Sequence, residues 1–245
     1  MGKGQRNREQ RRVEQAAGSS NRAARLGHAP SSRPIPWFYF ALALVAIVVL
    51  VAVFWPGGSN TNTHHAAKNE AFSTITLAGS SSLPKFDASY TNAPTIDPAV
   101  GDAAPMASGE TPAGKPIQVG GATGSPTMLL FVAHWCPHCQ REIPQLQSWI
   151  AANGTPAGVN IVTVATASGS SKPNFPPSEW LDREGWQPPV LLDDEVSSVG
   201  TAYGVESYPY FVLVGADGRV IERTSGELTT KQWEAYMSKL EKFAK

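Results

Sequence analysis

The stretch His134-Trp135-Cys136-Pro137-His138-Cys139 contains both cysteines of the 245-residue chain, separated by two residues. An apolar run, Met128 to Ala133, precedes this stretch, and a helix-compatible segment, Gln140 to Ala152, follows it. The pattern predicts a strand, a sharp turn that carries two thiols, and then a helix. A pair of cysteines in this position is typical of a redox-active centre.

The spacing of the two cysteines suits thiol–disulfide exchange. At a helix start, the sulfur of Cys136 would face unpaired backbone N–H groups and the positive end of the helix dipole. Both favour the thiolate, so Cys136 is expected to be the exposed, attacking sulfur. Cys139 lies three residues later on the same helical face and can close a disulfide with Cys136. Pro137 suits the first helical turn, and no cofactor beyond the redox-active Cys136–Cys139 disulfide is expected.

Other uses of a cysteine pair fit this sequence less well. A structural disulfide around a two-residue loop would add little stability. Haem attachment requires C-x-x-C-H, but position 140 is Gln. A zinc or copper site could recruit His134 or His138 beside the thiolates, although no second C-x-x-C or distant His pair completes it. No metal site is predicted, and a non-enzymatic copper-binding module stays open as an alternative.

Charge is unevenly distributed along the chain, although the net charge is zero. Residues 1–36 carry eight Lys/Arg and two Asp/Glu, whereas residues 100–245 carry ten Lys/Arg and fifteen Asp/Glu. A membrane between the two parts would explain this split. Residues 1–36 lack apolar periodicity, and they are expected to be a disordered, basic, cytoplasmic segment rather than a nucleic-acid-binding arm.

Residues 37–55 form a run of nineteen residues without a charge, WFYFALALVAIVVLVAVFW. A helix of this length can cross a hydrocarbon core of about 30 Å, and the aromatic ends suit the two interfaces. A cleaved signal peptide is the alternative, but its apolar region is normally shorter. We expect an uncleaved, single-pass anchor in the plasma membrane, with a cytoplasmic N-terminus. Residues 56–99, rich in small and polar residues, are predicted to be a flexible linker to an extracytoplasmic domain.

Residues 100–245 are predicted to form one α/β domain. The segment Thr127 to Ala165 is a strand–helix–strand unit, whose crossover should be right-handed. Ser178 is a plausible N-cap, and Thr229 with Gln232 can form a capping box. Strands are predicted at Pro116–Val119, Thr127–Ala133, Val159–Ala165, Val190–Leu192, Tyr210–Val214 and Arg219–Arg223, and helices at Pro137–Asn153, Ser178–Glu184, Glu195–Tyr203 and Thr229–Lys245.

This order of elements resembles the thioredoxin fold, a central mixed sheet flanked by helices. Pro144 stands where thioredoxins kink the active-site helix, and Pro209 stands where they have a cis-proline. The resemblance implies structural roles in the active site for Trp135, Pro137 and Pro209. It also implies that the backbone of Tyr208, beside Pro209, binds an extended substrate strand. Three stretches resemble the TlpA/ResA-like branch of membrane-tethered extracytoplasmic thiol–disulfide oxidoreductases: Val100–Pro105, Leu192–Asp194 and Ala202–Val205.

Two features depart from the patterns of these families. The dipeptide Pro137-His138 is that of the DsbA family, which introduces disulfides, although residues 166–189 are too few for DsbA's inserted helical domain. His138 could stabilise the Cys136 thiolate, which would make the centre more oxidising than thioredoxin. Position 130 is Leu, where thioredoxins and DsbA have a buried acid that helps to move protons, so another group or water must do this.

The sequence therefore predicts a membrane-anchored extracytoplasmic thiol–disulfide oxidoreductase with Cys136, Cys139 and His138 as catalytic residues. Oxidation or isomerisation of secreted protein thiols is the favoured activity. Reduction in the manner of the TlpA/ResA-like branch, for example during cytochrome c maturation, is the alternative. The expected partners are extended cysteine-containing protein substrates outside the cytoplasm, a membrane redox partner that recycles the cysteine pair, and the lipid bilayer, but no nucleic acid.

Overall fold

The computed structural model describes residues 71–79, 82–91 and 96–244, which form an α/β fold around one mixed sheet. The strands are β1 (Thr76–Ala78), β2 (Met106–Glu110), β3 (Pro116–Val119), β4 (Thr127–Val132), β5 (Asn160–Ala165), β6 (Val190–Leu192), β7 (Tyr210–Val214) and β8 (Val220–Ser225). The helices are α1 (Pro137–Asn153), α2 (Pro177–Arg183), α3 (Ser198–Ala202) and α4 (Thr230–Phe243), with a 3₁₀ turn at Ala88–Thr91. The strand order is β1-β2-β6-β5-β4-β7-β8, with β3 paired to β2.

The central strand β4 is buried along its whole length, as its continuous apolar sequence predicts. It pairs in parallel with β5 and antiparallel with β7. Because side chains alternate across a strand, Met128 and Leu130 face the layer of α1, α2 and α4, whereas Leu129 and Phe131 face the opposite layer. The predicted strand–helix–strand unit and the mixed sheet flanked by helices are confirmed, and they place the start of α1 at the carboxyl end of β4.

The terminal helix begins as predicted. Thr229 accepts a hydrogen bond from the Gln232 N–H, and the Gln232 side chain accepts one from the Thr229 N–H, so the capping box is confirmed. Trp233, Met237 and Leu240 are fully buried against the sheet. The hairpin of β7 and β8 is also present, with β8 extending to Ser225.

Two short helices differ from their predictions. Helix α2 begins at Pro177 after an N-cap at Pro176, and Ser178 lies buried inside it, so the prediction of Ser178 as the N-cap is wrong. Helix α3 covers Ser198–Ala202 rather than residues 195–203. It starts later than predicted because Ser197, directly before it, has a left-handed backbone with φ 60° and ψ 44°, and two acidic side chains satisfy its first N–H groups. The Asp194 carboxylate accepts from the Ser198 N–H, and Asp193 accepts from the N–H groups of residues 199 and 200.

The prediction of a flexible linker over residues 56–99 is wrong for the part that the structure describes. Strand β1 pairs with β2, and Ala71 is buried. Leu83 and Phe86 are each 5% exposed, and the Phe86 ring packs edge-on against Tyr210, with 5.4 Å between the ring centroids. These side chains cover the face of the sheet opposite α1 and α4, which residues 100–245 alone would leave open. The folded domain therefore includes residues from 71 onward.

A buried ion pair fixes this N-terminal segment to the sheet. Both carboxylate oxygens of Asp97 accept hydrogen bonds from Arg223 on β8, at 2.7 and 2.5 Å, and both side chains are almost completely buried. Arg223 also donates to the carbonyl oxygen of Pro84 at 2.8 Å. A paired and multiply hydrogen-bonded arginine in such a place makes the segment an integral part of the fold.

Within residues 71–79, 82–91 and 96–244, no helix has the length and apolar character needed to cross a membrane. The predicted anchor at residues 37–55 and the predicted basic segment at residues 1–36 lie outside the described residues.

Candidate active site

The first of the two cysteines caps the N-terminus of α1. Cys136 is the N-cap residue with an extended backbone, φ −77° and ψ 119°, and Pro137 occupies the first helical position. The Cys136 N–H donates to the Ala133 carbonyl oxygen at 2.9 Å, which fixes the turn between β4 and the helix. No side chain caps the helix, so its N-terminal N–H groups face the cysteine. Cys136 is only 6% exposed, less than the sequence predicted for an attacking sulfur.

The second cysteine lies behind the first. Cys139 has no exposed surface, and burial raises the pKa of its thiol far above the ordinary value. The neighbouring Cys136 side chain also contributes to the raised pKa of Cys139, and both thiols are free. The geometry thus gives the accessible position to Cys136 and a protonated, sheltered position to Cys139.

The segment before β7 borders the cysteine pair. The Tyr208–Pro209 peptide bond is cis, as the resemblance to thioredoxins implied. The Tyr208 carbonyl oxygen accepts a hydrogen bond from the Cys136 thiol at 3.6 Å. Burial raises the pKa of the Tyr208 phenol to about 12, and its ring packs edge-on against Trp135 with centroids 6.2 Å apart. The predicted neighbours of the reactive sulfur are therefore brought together.

A loop after β5 forms the other side of the site. The Trp135 indole N–H donates to the Ala167 carbonyl oxygen at 2.7 Å, and the Lys172 ammonium lies 5.5 Å above the indole ring. The buried His134 uses both ring nitrogens on this loop: Nδ1 lies 2.7 Å from the Pro173 carbonyl oxygen, and Nε2 accepts from the Gly169 N–H at 3.1 Å. Because Nε2 accepts a hydrogen bond, the ring is neutral with its proton on Nδ1, and burial lowers the His134 pKa.

His138 lies on the first turn of α1 and is 59% exposed at its side chain. Its Nδ1 is 2.5 Å from a carboxylate oxygen of Glu227, in the loop between β8 and α4. Arg141 donates to the same carboxylate through Nε and Nη2, at distances of 2.5 to 3.2 Å. Hydrogen bonds from Arg141 and then His138 lower the Glu227 pKa. The sequence predicted that His138 would serve Cys136, and it did not foresee this carboxylate partner.

A buried acid lies one helical turn beyond Cys139. Glu142 is 1% exposed, and both of its carboxylate oxygens are 3.2 Å from the Leu228 N–H, which donates to them. Burial, with a contribution from the charge of Glu227, raises the Glu142 pKa to about 7. The Glu142 charge in turn contributes to the raised pKa of Cys139. Leu130, where related folds have an acid, is an ordinary core residue with no exposed surface.

Sequence reasoning missed Glu142, yet a signal was present. The buried face of α1 consists of Cys139, Glu142, Ile143, Leu146 and Ile150, so a single acid interrupts an otherwise apolar stripe. An acid at a core-facing position is rarely buried without a purpose.

The described residues contain no group of three or more His, Cys, Asp or Glu side chains arranged to hold a metal ion. The two histidines that the metal alternative could recruit are engaged elsewhere, His134 with a loop and His138 with Glu227.

The fold and the paired cysteines at the start of α1 define a thioredoxin-like thiol–disulfide oxidoreductase. The sequence pattern of the AhpC/TSA family matches residues 100–223, and the chain belongs to this family. The chain is 29% identical to the thiol-disulfide oxidoreductase ResA of Bacillus thuringiensis (strain Al Hakam) over 127 residues, which are 52% of this chain and 70% of ResA. The resemblance to TlpA/ResA-like proteins is thereby confirmed.

Two further similarities extend the comparison. The chain is 31% identical to the methylamine utilization protein MauD of Paracoccus denitrificans over 137 residues, covering 55% of this chain and 62% of MauD. The crystal structure of StoA from Bacillus subtilis superposes with a TM-score of 0.46 at 26% identity, and the match covers 57% of this chain and 98% of StoA.

Proposed function

We propose that this chain catalyses thiol–disulfide exchange with cysteine-containing proteins outside the cytoplasm. Cys136 is the sulfur that forms a mixed disulfide with the substrate, and Cys139 is the sulfur that resolves it. The observation that supports this assignment is the difference between the two thiols. Cys136 lies at an uncapped helix N-terminus, whereas Cys139 is fully buried with a strongly raised pKa.

Reduction of a substrate disulfide proceeds in two exchange steps. The Cys136 thiolate attacks one substrate sulfur, which forms a mixed disulfide and releases the other substrate sulfur as a thiolate. Cys139 then loses its proton and attacks Cys136, which releases the second substrate thiolate and leaves a Cys136–Cys139 disulfide. Two electrons pass to the substrate, and each released thiolate takes up a proton. Oxidation of a substrate dithiol is the same sequence in reverse.

The proton of Cys139 needs an acceptor during the second step, because a thiol in this buried position does not ionise by itself. Glu142 meets that need, since its pKa of about 7 leaves part of it ionised at neutral pH and its charge acts on Cys139. Glu142 thus has the proton-transfer role for which the sequence analysis named no residue, since position 130 is Leu. In the reverse direction, protonated Glu142 returns the proton to Cys139.

The substrate would bind as an extended strand beside Tyr208. The Tyr208 carbonyl oxygen, which accepts from the Cys136 thiol in the structure, is placed to pair with a substrate N–H once Cys136 has reacted. Trp135 packs edge-on against Tyr208, and the Lys172 ammonium lies over the indole ring. Recognition through the backbone would allow the protein to act on different cysteine-containing sequences.

The direction of electron flow depends on the reduction potential of the pair. The dipeptide Pro137-His138 favours a centre that oxidises secreted protein thiols. A second candidate, a reductase, is favoured by the pairing of His138 with Glu227, because a carboxylate offsets the charge that would stabilise the thiolate. A membrane redox partner would recycle the cysteine pair in either case.

The location rests on the sequence of residues 37–55 and on the charge difference across it. We propose a single-pass plasma membrane protein with a cytoplasmic N-terminus and an extracytoplasmic domain. Protease added to right-side-out vesicles should digest the domain or the chain just before it. Digestion confined to residues 1–36 would place the domain on the cytoplasmic side instead.

The proposed activity is tested with the full chain in detergent micelles. The reduced protein is mixed with a peptide that carries a disulfide, the oxidised protein with the dithiol form of that peptide, and exchange is followed by thiol alkylation and mass spectrometry. Exchange well above the uncatalysed rate, and its loss in Cys136→Ser, is the expected result. Stoichiometric binding of Cu(I) without exchange would instead support the copper-binding alternative.

A further inference from the structure

The side chains of His138, Arg141 and Glu227, here called the Glu227 cluster, meet at one ring nitrogen. His138 Nδ1 lies 2.5 Å from the Glu227 Oε1 atom and 2.8 Å from the Arg141 Nη2 atom. A nitrogen that donates to the carboxylate cannot also accept from the guanidinium. Because an unprotonated nitrogen would be repelled by a carboxylate oxygen at 2.5 Å, the proton lies on Nδ1. Glu227 thereby fixes the tautomer and orientation of the His138 ring.

The Glu227 carboxylate contacts both other side chains of this cluster. Its pKa is lowered, mainly by the hydrogen bonds from Arg141, so it carries a full negative charge at neutral pH. The Arg141 pKa is raised, first by the hydrogen bond to Glu227, and also by the charge of Cys136. Arg141 is therefore within electrostatic reach of the reactive sulfur. With Glu227 in place, one negative charge offsets one of the two basic groups at the start of α1.

The Cys136 thiol has a hydrogen-bond partner outside this cluster. The Cys136 thiol donates to the Tyr208 carbonyl oxygen, whereas the hydrogen-bearing nitrogen of His138 points to Glu227. Both basic side chains of the cluster are thus bound to a carboxylate in the loop between β8 and α4. Basic groups bound in this way stabilise a thiolate less than free ones do.

We propose that Glu227 is a positioning residue that holds the two basic side chains of its cluster off the Cys136 sulfur. The cysteine pair is then a weaker oxidant than its Pro137-His138 dipeptide alone would make it. This inference rests on the proposed exchange activity, and it addresses the direction in which that activity runs. It also accounts for a DsbA-like dipeptide in a chain related to ResA.

The test replaces the charge of Glu227 and keeps its shape, in the variant Glu227→Gln. Without the carboxylate, the Arg141 charge that acts on Cys136 is no longer offset, and the His138 ring is no longer bound to Glu227. The thiolate fraction of Cys136 at pH 6, read by ultraviolet absorbance of the full chain in a Cys139→Ser background, should rise about five- to tenfold. A tenfold change in the equilibrium corresponds to about 30 mV, so the potential of the two-cysteine protein should become more oxidising by up to this amount.

The matched control is Glu222→Gln. Glu222 is also ion-paired to a basic side chain, Lys239, and its side chain is 31% exposed, compared with 30% for Glu227. Its partner lies on α4, away from the start of α1. This control should leave the thiolate fraction and the potential unchanged, which would exclude a general effect of removing one negative charge.

A double variant then shows whether the effect passes through His138. His138→Ala should change the reduction potential by a smaller amount in the presence of Glu227 than in the Glu227→Gln background. Only in the Glu227→Gln background is His138 free to interact with the thiolate. If the changes in potential caused by His138→Ala and Glu227→Gln are additive, the effect of Glu227→Gln passes through Arg141 alone. The double variant Glu227→Gln/Arg141→Gln would then have the wild-type potential.

Unchanged thiolate and potential values in Glu227→Gln, in a protein that still exchanges disulfides and has the wild-type melting temperature, would overturn the inference and leave the proposed function intact. A more reducing Glu227→Gln protein would overturn it as well. Absence of exchange in the wild-type chain would instead remove the proposed function itself.

Discussion

The Glu142 carboxylate, inside the first turns of α1, accepts the Leu228 N–H through both of its oxygens at 3.2 Å. This contact joins the active-site helix to the loop that also carries Glu227. The buried acid is held in place by a neutral donor and has no basic partner at the contact. Its ionised form is therefore unfavourable, and its raised pKa follows directly.

The stability of the protein should report this ionisation. Burial raises the Glu142 pKa from 4.5 to about 7, so the folded state binds a proton that the unfolded state releases between these values. The contribution of Glu142 to the free energy of unfolding must then fall as pH rises from about 4.5 to 7. Glu142→Gln should remove that slope and be more stable than wild type at pH 8 by roughly 1–2 kcal/mol, since relaxation and water entry reduce the full value of about 1.4 kcal/mol per pKa unit.

Urea unfolding at pH 5 and pH 8 measures the two free energies. Similar stabilities at pH 5 and a more stable variant at pH 8 are the expected pair of results. A variant that is less stable than wild type at pH 8 would show that burial does not raise the Glu142 pKa.

Glu142 should also control the second step of exchange. In the proposed mechanism an ionised Glu142 accepts the Cys139 proton, so Glu142→Gln should slow resolution of the mixed disulfide by about 100-fold above pH 7, at the lower end of the usual range for general base catalysis. Below pH 6 wild-type Glu142 is protonated as well, and the two rates should converge. Quenched single-turnover reactions that separate the mixed disulfide by mass measure this step. Glu234→Gln, whose carboxylate contacts the Trp149 indole outside the cysteine site, is the control that should resolve at the wild-type rate.

The Asp97–Arg223 ion pair should be essential to the fold. Removal of one charge from a buried pair leaves the other uncompensated, which costs about 3–5 kcal/mol. Asp97→Asn should therefore lower the free energy of unfolding strongly, whereas Asp217→Asn, in an exposed pair with Arg219, should have little effect. Equal effects in chemical denaturation would contradict the structural role given to Asp97.

The N-terminal boundary of the domain provides a related test. A chain that starts at Val100 lacks Asp97 and also the buried Leu83 and Phe86, each of which contributes about 1.5–3 kcal/mol when fully buried. It should unfold at a much lower urea concentration than a chain that starts at Ala71, with β8 exchanging its amide hydrogens first. Equal stability of the two chains would support the sequence-based prediction that residues 56–99 are a flexible linker.

The sequence could predict those parts of the fold whose signals are local. The continuous apolar run of β4, the core-facing stripe of α1 and the Thr229–Gln232 capping box each depend on residues close together in the chain, and all are present. Leu83 and Phe86 were missed because each stands alone in a polar stretch. Their burial depends on contacts with residues more than 100 positions away, such as Ala202 and Tyr210, which local periodicity cannot show.

The candidate site also has features that the sequence could predict and features that it could not. The positions of Cys136 at the N-cap and of Cys139 one turn later followed from helix geometry, and cis-Pro209 followed from a resemblance. Glu227 could not be predicted, because it meets His138 across 89 positions of sequence and only through the docking of the loop after β8. Position 142 carried a recognisable signal, an acid on an apolar helical face, but its pKa depends on burial that only the packed structure supplies.

The proposed mechanism requires different roles for the two sulfurs. In the full chain, Cys139→Ser should accumulate a mixed disulfide between Cys136 and a disulfide-containing substrate, because the resolving thiol is absent. Cys136→Ser should form almost none, because Cys139 is buried and its pKa is strongly raised. The measurement is the mass and site of the trapped adduct after both variants are mixed with the same substrate. An adduct confined to position 136 is the predicted result, and equal trapping at both cysteines, or trapping at Cys139 alone, would contradict the account.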